Sequence, residues 1–305
     1  MSKHNPSALA TSVRQRLLDL SRERGEDFQL VLTWYALERL LYRLGSSEHA
    51  ETFVLKGAML FPAWTSRSYR PTKDLDLLGY GDASPERLTA LFEEICQSNV
   101  EPDGLDFDVQ NIRVTEIRED QEYQGQRVQI VAYLGRARIN LQIDIGFGDV
   151  VTPAAEKINY PTLLDFPAPH IRAYPRETVV AEKLQAMVAL GMLNSRMKDF
   201  YDTWMIARQF EFRGAVLVKA ITTTFNCRNT EIPGSLPSAL SDEFASDPGK
   251  ITQWEAFLRR TGLEATAVDL DHVIDELRIF LMPPVDAAAR GEVFDLSWTD
   301  GGPWS

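Results

Sequence analysis

Residues 70–79 read Arg70-Pro71-Thr72-Lys73-Asp74-Leu75-Asp76-Leu77-Leu78-Gly79. From Asp74 the acidic and apolar residues alternate. That is the period of a β-strand with one wet face and one buried face, and Gly79 stops the run. Both carboxylates of such a strand project to the same side, where they repel unless a cation sits with them. Hard divalent ions take oxygen clusters of this kind, and Mg²⁺ uses one or two carboxylates together with substrate phosphates. Spacing alone is a weak signal in a chain with 44 acidic residues. Asp106-Phe107-Asp108 and Asp269-Leu270-Asp271 repeat it, and the second precedes a helix, where capping accounts for it.

Immediately upstream, Phe53-Val54-Leu55 reads as a short buried strand ending at Lys56-Gly57. Gly57 to Trp64 suits a short helix limited by Pro62, and residues 65–72 read as a loop carrying Arg67 and Arg70. Glycine lets a backbone approach a phosphate, and a helix N-terminus offers free N–H donors. Lys56, Arg67, Arg70 and Lys73 each read alone as solvated surface residues. Beside Asp74 and Asp76 they describe a triphosphate-plus-metal site.

Downstream, Ser84-Pro85-Glu86 is a helix start with a capping hydroxyl, and the helix should run to about Gln97. Strands follow at residues 107–118, 127–134 and 137–145, the last two joined by a tight Gly135-Arg136 turn. In the third, Gln142 and Asp144 share the wet face, so Asp144 is a candidate third acid, with Asp149 as the alternative. Helical periodicity returns at Arg176 and should stop at Gly191. It continues over residues 200–210, 215–225, 254–258 and 268–281, with a long connection at 226–249. Met282-Pro283-Pro284 should end the last helix. The tail keeps Phe294, Trp298 and Trp304, so it should dock on the body. Before the first strand, Leu17 to Leu20 and Leu30 to Leu44 read as helices. The class is therefore α+β. A helical segment (1–50) precedes a core with a small mixed sheet (51–170), and a helical domain (171–305) follows.

Two helical sites complete the candidates. Glu182-Lys183 lies in the apolar-periodic run from Val179 to Leu190. In Arg196-Met197-Lys198-Asp199-Phe200-Tyr201-Asp202, the acids Asp199 and Asp202 share one helix face. An Arg196–Asp199 pair would be the bland account of them.

Composition bounds the function. The 305 residues carry a net charge of −12, which excludes a non-specific nucleic-acid binder and requires any basic surface to be local. Arg113, Arg118, Arg127, Arg136 and Arg138 on the strands could supply one for RNA. No apolar stretch is long enough to span a membrane. The polar start of the chain and its two cysteines suit the cytoplasm, and four scattered histidines do not suggest a zinc site.

In order, these elements resemble the AbiEii/AbiGii nucleotidyltransferase toxins, a branch of the polymerase-β-like superfamily related to the MenT toxins. The resemblance covers nearly the whole chain. It rests on Phe53-Val54-Leu55-Lys56-Gly57-Ala58, the stretch from Arg70 to Leu77, Ile143 to Asp149, Glu182-Lys183-Leu184 and Arg196 to Asp202. It implies a toxin of a toxin–antitoxin or phage-defence system, with a cognate antitoxin, often of winged-helix type. It also implies transfer of a nucleoside monophosphate from an NTP to an acceptor hydroxyl, for which the 3′ end of tRNA is expected. Asp74 and Asp76 would bind Mg²⁺ or Mn²⁺, with Asp144 completing the set. Lys183, with Arg70 or Lys198, would meet the triphosphate beside Lys56 and Gly57. Asp199 would be the later site acid, and Thr72 matches a position some relatives phosphorylate. The chain departs from the superfamily in having Gly57-Ala58 in place of Gly-Gly or Gly-Ser, and a long spacing to Asp74. Competing readings are a protein or small-molecule acceptor, a non-catalytic antitoxin-binding relative, and a metal-dependent glycosyltransferase. The last would place a larger nucleotide-binding unit ahead of the Asp-x-Asp.

Overall fold

Apolar alternation builds one sheet, and three helices cover its buried face. The computed structural model describes residues 8–65, 71–118, 124–264 and 268–305; the side chains of Arg118 and Gln124 are outside that description. The chain divides into two compact units, residues 1–148 with 156–173, and residues 149–155 with 174–305.

In the first unit come α1 (Ala8–Arg24), α2 (Phe28–Ser46) and β1 (Phe53–Lys56). A 3₁₀ turn (Gly57–Leu60) leads into α3 (Phe61–Trp64), with Pro62 in its first turn. Then follow β2 (Asp74–Gly79), α4 (Pro85–Cys96), β3 (Leu105–Phe107), β4 (Arg113–Arg118), β5 (Gln124–Leu134) and β6 (Ala137–Phe147). The short β7 (Glu156–Asn159) and β8 (His170–Ala173) close the unit. Among the described residues the sheet has eight strands in the order β3-β5-β6-β2-β1-β8-β7, with β4 also on β5. The sheet is therefore larger than expected. It is mixed: β2–β6 and β1–β8 run parallel, and the other pairs run antiparallel.

The fold class is α+β, as the texture of the sequence predicts. Leu55, Leu75, Leu77, Val128, Ile143 and Ile145 are buried on one sheet face. Phe53 on that face meets the Phe92 ring of α4 at 5.7 Å. Asp27 caps α2 by accepting from the Leu30 N–H. The N-terminal helices belong to the same compact unit as the sheet.

Two local readings are corrected. The single strand expected over 107–118 is split by a 3₁₀ turn at Val109–Asn111. Ser84 precedes α4 but does not cap it; its hydroxyl donates to Asp82 instead, at 3.0 Å.

The second unit holds α5 (Arg176–Leu190), α6 (Met197–Gln209), β9 (Phe212–Arg213) and α7 (Gly214–Cys227). It continues with α8 (Asp242–Ser246), α9 (Pro248–Thr261), α10 (Leu270–Arg290) and β10 (Ser297–Trp298). Gly191 ends α5 with φ +49°. Met282-Pro283-Pro284 does not end the last helix, because α10 continues to Arg290 with both prolines inside. Pro284 has no N–H to give the Phe280 carbonyl. The Trp304 indole donates to that oxygen instead, at 2.9 Å. Trp304 also stacks on the Phe280 ring with centroids 5.9 Å apart, and the Trp298 indole donates to the Ala207 carbonyl. Tail and proline break thus compensate one another.

Candidate active site

The wet face of the sheet carries two in-register rows. Lys56 (β1), Asp76 (β2), Asp144 (β6) and Arg127 (β5) are successive partners in the first. Asp74, Gln142, Gln129 and Arg113 make the second. Charges of sign plus, minus, minus, plus thus cross four strands side by side. The period-two reading of Asp74-Leu75-Asp76 is realised: Leu75 is buried and both acids are half-buried.

Gly57 follows β1 with φ +71°, a conformation that L side chains rarely adopt. A Cβ built there would lie 2.6 Å from Asp76 Cγ and 2.7 Å from its Cβ. Glycine at 57 therefore answers both a backbone and a packing demand. Thr72 sits ahead of the strand, its hydroxyl accepting from the Asp74 N–H at 3.4 Å. The Trp34 indole donates to the Thr72 carbonyl at 2.6 Å. Arg67 and Arg70 lie outside the described residues.

Asp144, the expected third metal acid, is the register partner of Asp76. Its carboxylate, however, accepts a fork from Arg127: Nε to Oδ1 and Nη2 to Oδ2, both 2.8 Å. Gln142 adds a donor at 3.3 Å. Asp144 and Arg127 thus form a two-pronged, charge-assisted pair on the wet face. Among the described residues no group of three or more His, Cys, Asp and Glu gathers to hold a metal ion. Asp74 and Asp76 still suit Mg²⁺, which needs one or two carboxylates when phosphate supplies the rest. Arg127 is accordingly not a free cation for RNA, whereas Arg113, Arg136 and Arg138 are exposed.

In the second unit, Lys183 Nζ donates to Asp199 Oδ1 at 2.7 Å and to Asp202 Oδ2 at 3.0 Å. Asp199, considered from sequence as a partner of Arg196, accepts from Lys183, because α5 brings Lys183 against the acidic face of α6. Asp202, 1% exposed, is a partner that the candidate set omitted; its i+3 spacing from Asp199 was the available signal. Lys198 is exposed. Beside this cluster in the chain, Arg228 donates to Asp149 at 2.9 Å and lies 3.3 Å from Glu182. Burial, then Glu182 and Asp149, push the Tyr174 hydroxyl far above the usual phenol range, so it stays an O–H. Nothing in the sequence pointed to Arg228, which is 79 residues from its partner.

No helix among the described residues is long and apolar enough to cross a membrane. No curated protein matches the chain. The crystal structure of JHP933 from Helicobacter pylori aligns with TM-score 0.48 at 13% identity, covering 86% of this chain and 90% of that one. A proposed nucleotidyltransferase of H. pylori aligns with TM-score 0.51 at 14% identity, covering 87% of this chain and 99% of that one, a likeness of fold. The model of the family described as "Nucleotidyl transferase AbiEii toxin, Type IV TA system" matches residues 39–289. With that span matched and the carboxylate pair and its glycine in place, the chain belongs to the AbiEii nucleotidyl transferase toxins of type IV toxin–antitoxin systems.

Proposed function

We propose that the protein moves a nucleoside monophosphate from an NTP to a hydroxyl at the 3′ end of tRNA, in the cytoplasm and with Mg²⁺ or Mn²⁺. One observation carries the reading: Asp74 and Asp76 share a sheet face, with Gly57 laid against Asp76 and Lys56 in register with it. In the reaction the acceptor oxygen bonds to the α-phosphorus, the bond to pyrophosphate breaks, and the hydroxyl proton passes to solvent. Asp74 and Asp76 would hold the metal ion together with the triphosphate, and the ion would supply Lewis-acid neutralisation there. Lys56 adds positive charge beside Asp76, and the glycine backbone leaves room for a phosphate. Asp74 and Asp76 would hold the metal, with Asp144, in register with Asp76 and paired with Arg127, as the proposed third acid. Lys183 with Asp199, Lys198, Arg70 and Thr72 stay in the proposal as nucleotide-site residues of the family pattern.

An RNA acceptor is supported by Arg113 and Arg138. Both are exposed on the face that bears Asp74 and Asp76, in a chain of net charge −12. A cognate antitoxin of winged-helix type completes the proposed system.

The deciding experiment follows α-³²P from each ribonucleoside triphosphate into total RNA with Mg²⁺, for wild type and Asp76→Ala. The expected result is label in tRNA-sized RNA from wild type alone. Absence of label from every nucleotide would remove the tRNA reading.

A further inference from the structure

Away from the carboxylate pair, the first unit holds a cavity of about 590 Å³, within the range of small-molecule sites. Trp34 and Glu38 of α2, Glu26 before α2, Met59, Thr72 and Tyr160 line it. Two acids, Glu26 and Glu38, and one base, Arg24, stand in the lining. Glu38 is 2% exposed; Oε2 accepts from the Leu163 N–H at 2.7 Å, and Arg39 Nη2 lies 2.7 Å from Oε1. Glu26 Oε2 is buried and has no hydrogen-bond partner among the described residues. An unpaired buried acceptor costs about 1–3 kcal/mol, so the cavity is built for something that donates.

Three features narrow the occupant. Glu38 is already held by Arg39 and the Leu163 N–H, which leaves the Glu26 carboxylate as the acceptor open to an occupant. A bare cation is far smaller than the cavity and has no use for an indole wall. Trp34 is fixed in place by its bond to the Thr72 carbonyl, so it offers an oriented aromatic face of the kind on which bases stack. A carboxylate accepts from the exocyclic amine of a base, as Glu and Asp do toward cytosine. Thr72 stands two residues before Asp74, so their Cα atoms are within about 7 Å. The cavity therefore opens beside the approach to the carboxylate strand.

We infer that this cavity takes a nucleobase bearing an exocyclic amino group, stacked on Trp34 with its amine directed to Glu26. The inference rests on the nucleotidyl-transfer reading only for whose base this is, namely that of the nucleotide bound at Asp74 and Asp76. The cavity would then select among nucleotides, and uracil, which lacks the amine, would be the poorest fit.

The test measures binding of labelled adenosine, cytidine, guanosine and uridine to the full chain by equilibrium dialysis. It uses Asp76→Ala protein and no metal, so that transfer plays no part. At least one amine-bearing nucleoside should bind roughly tenfold tighter than uridine, and Glu26→Gln, at a half-exposed position, should remove most of that difference. Uridine binding as well as the others, no nucleoside binding, or discrimination untouched by the variant would each overturn the inference. Nucleoside discrimination with no RNA labelling by wild type would instead keep this cavity and remove the tRNA reading.

Discussion

Gly57 and Asp76 are in such close contact that a single methyl group at position 57 would overlap the carboxylate. Gly57 opens the 3₁₀ turn that follows β1 and Asp76 lies in β2, so the contact joins two different segments of the chain. Gly57→Ala forces a residue with a side chain into φ +71°, at a cost of about 1–2 kcal/mol. It also displaces Asp76, and displacement of a reacting group by about 1 Å costs about a hundredfold in rate. The variant should fold with a modestly lower Tm and lose transfer. Wild-type transfer from a folded Gly57→Ala protein would show that Asp76 is not at the reacting centre.

Lys183 lies between Asp199 and Asp202, whose side chains are 8% and 1% exposed. Lys183→Met leaves two buried acids facing each other, a change worth roughly 3–5 kcal/mol of stability. Adding Asp202→Asn should recover part of the loss. Urea denaturation of the two single variants and the double variant measures the coupling. Strict additivity would mean that the three side chains do not act as a unit.

Burial raises the Glu38 carboxyl from 4.5 to about 7, with Arg39 pulling the other way. The folded chain therefore holds this proton between about pH 4.5 and 7 while the unfolded chain releases it. The stability that Glu38 contributes is full below pH 4.5 and is lost as pH rises to about 7, a change of about 3 kcal/mol. Glu38→Gln does not titrate, so it should gain on wild type as pH rises from 5 to 7.5. Thermal melts of both proteins at the two values test this, and a constant difference would contradict it.

The Phe280 carbonyl, left without its helical donor by Pro284, depends on the Trp304 indole. Trp304→Phe keeps a ring for stacking and removes the donor. The expected loss is about 1 kcal/mol. Restoring an N–H with Pro284→Ala in the same chain should recover much of it. If chemical denaturation finds the two changes independent, the tail does not serve the proline break.

Where local chemistry decides, the residues announced themselves. Asp74-Leu75-Asp76 was readable because a strand has period two, and Gly191 because a helix end favours glycine. The Pro283-Pro284 stop was misread for a physical reason. Proline breaks a helix by leaving a carbonyl unsatisfied, and here a tryptophan twenty residues further on satisfies it. Asp144 was placed correctly on the wet face, but its partner could not be seen. Which partner a strand carboxylate meets depends on the neighbouring strand, and Arg127 sits seventeen residues away. Asp202 shares a face with Asp199 by spacing alone, yet only the packing of α5 on α6 makes both partners of Lys183.

By itself, then, the chain determined which face of each element is wet, where the carboxylate pair lies and which family the order of motifs resembles. Those properties follow from side-chain period and backbone preference over a few residues. Only the tertiary structure decided that β2 lies parallel to β6, that Arg127 pairs with the Asp144 carboxylate, and that Glu26 and Glu38 line a cavity with Trp34. Such pairings join segments far apart in sequence. Their free energy comes from burial and charge matching between surfaces, which no local pattern encodes.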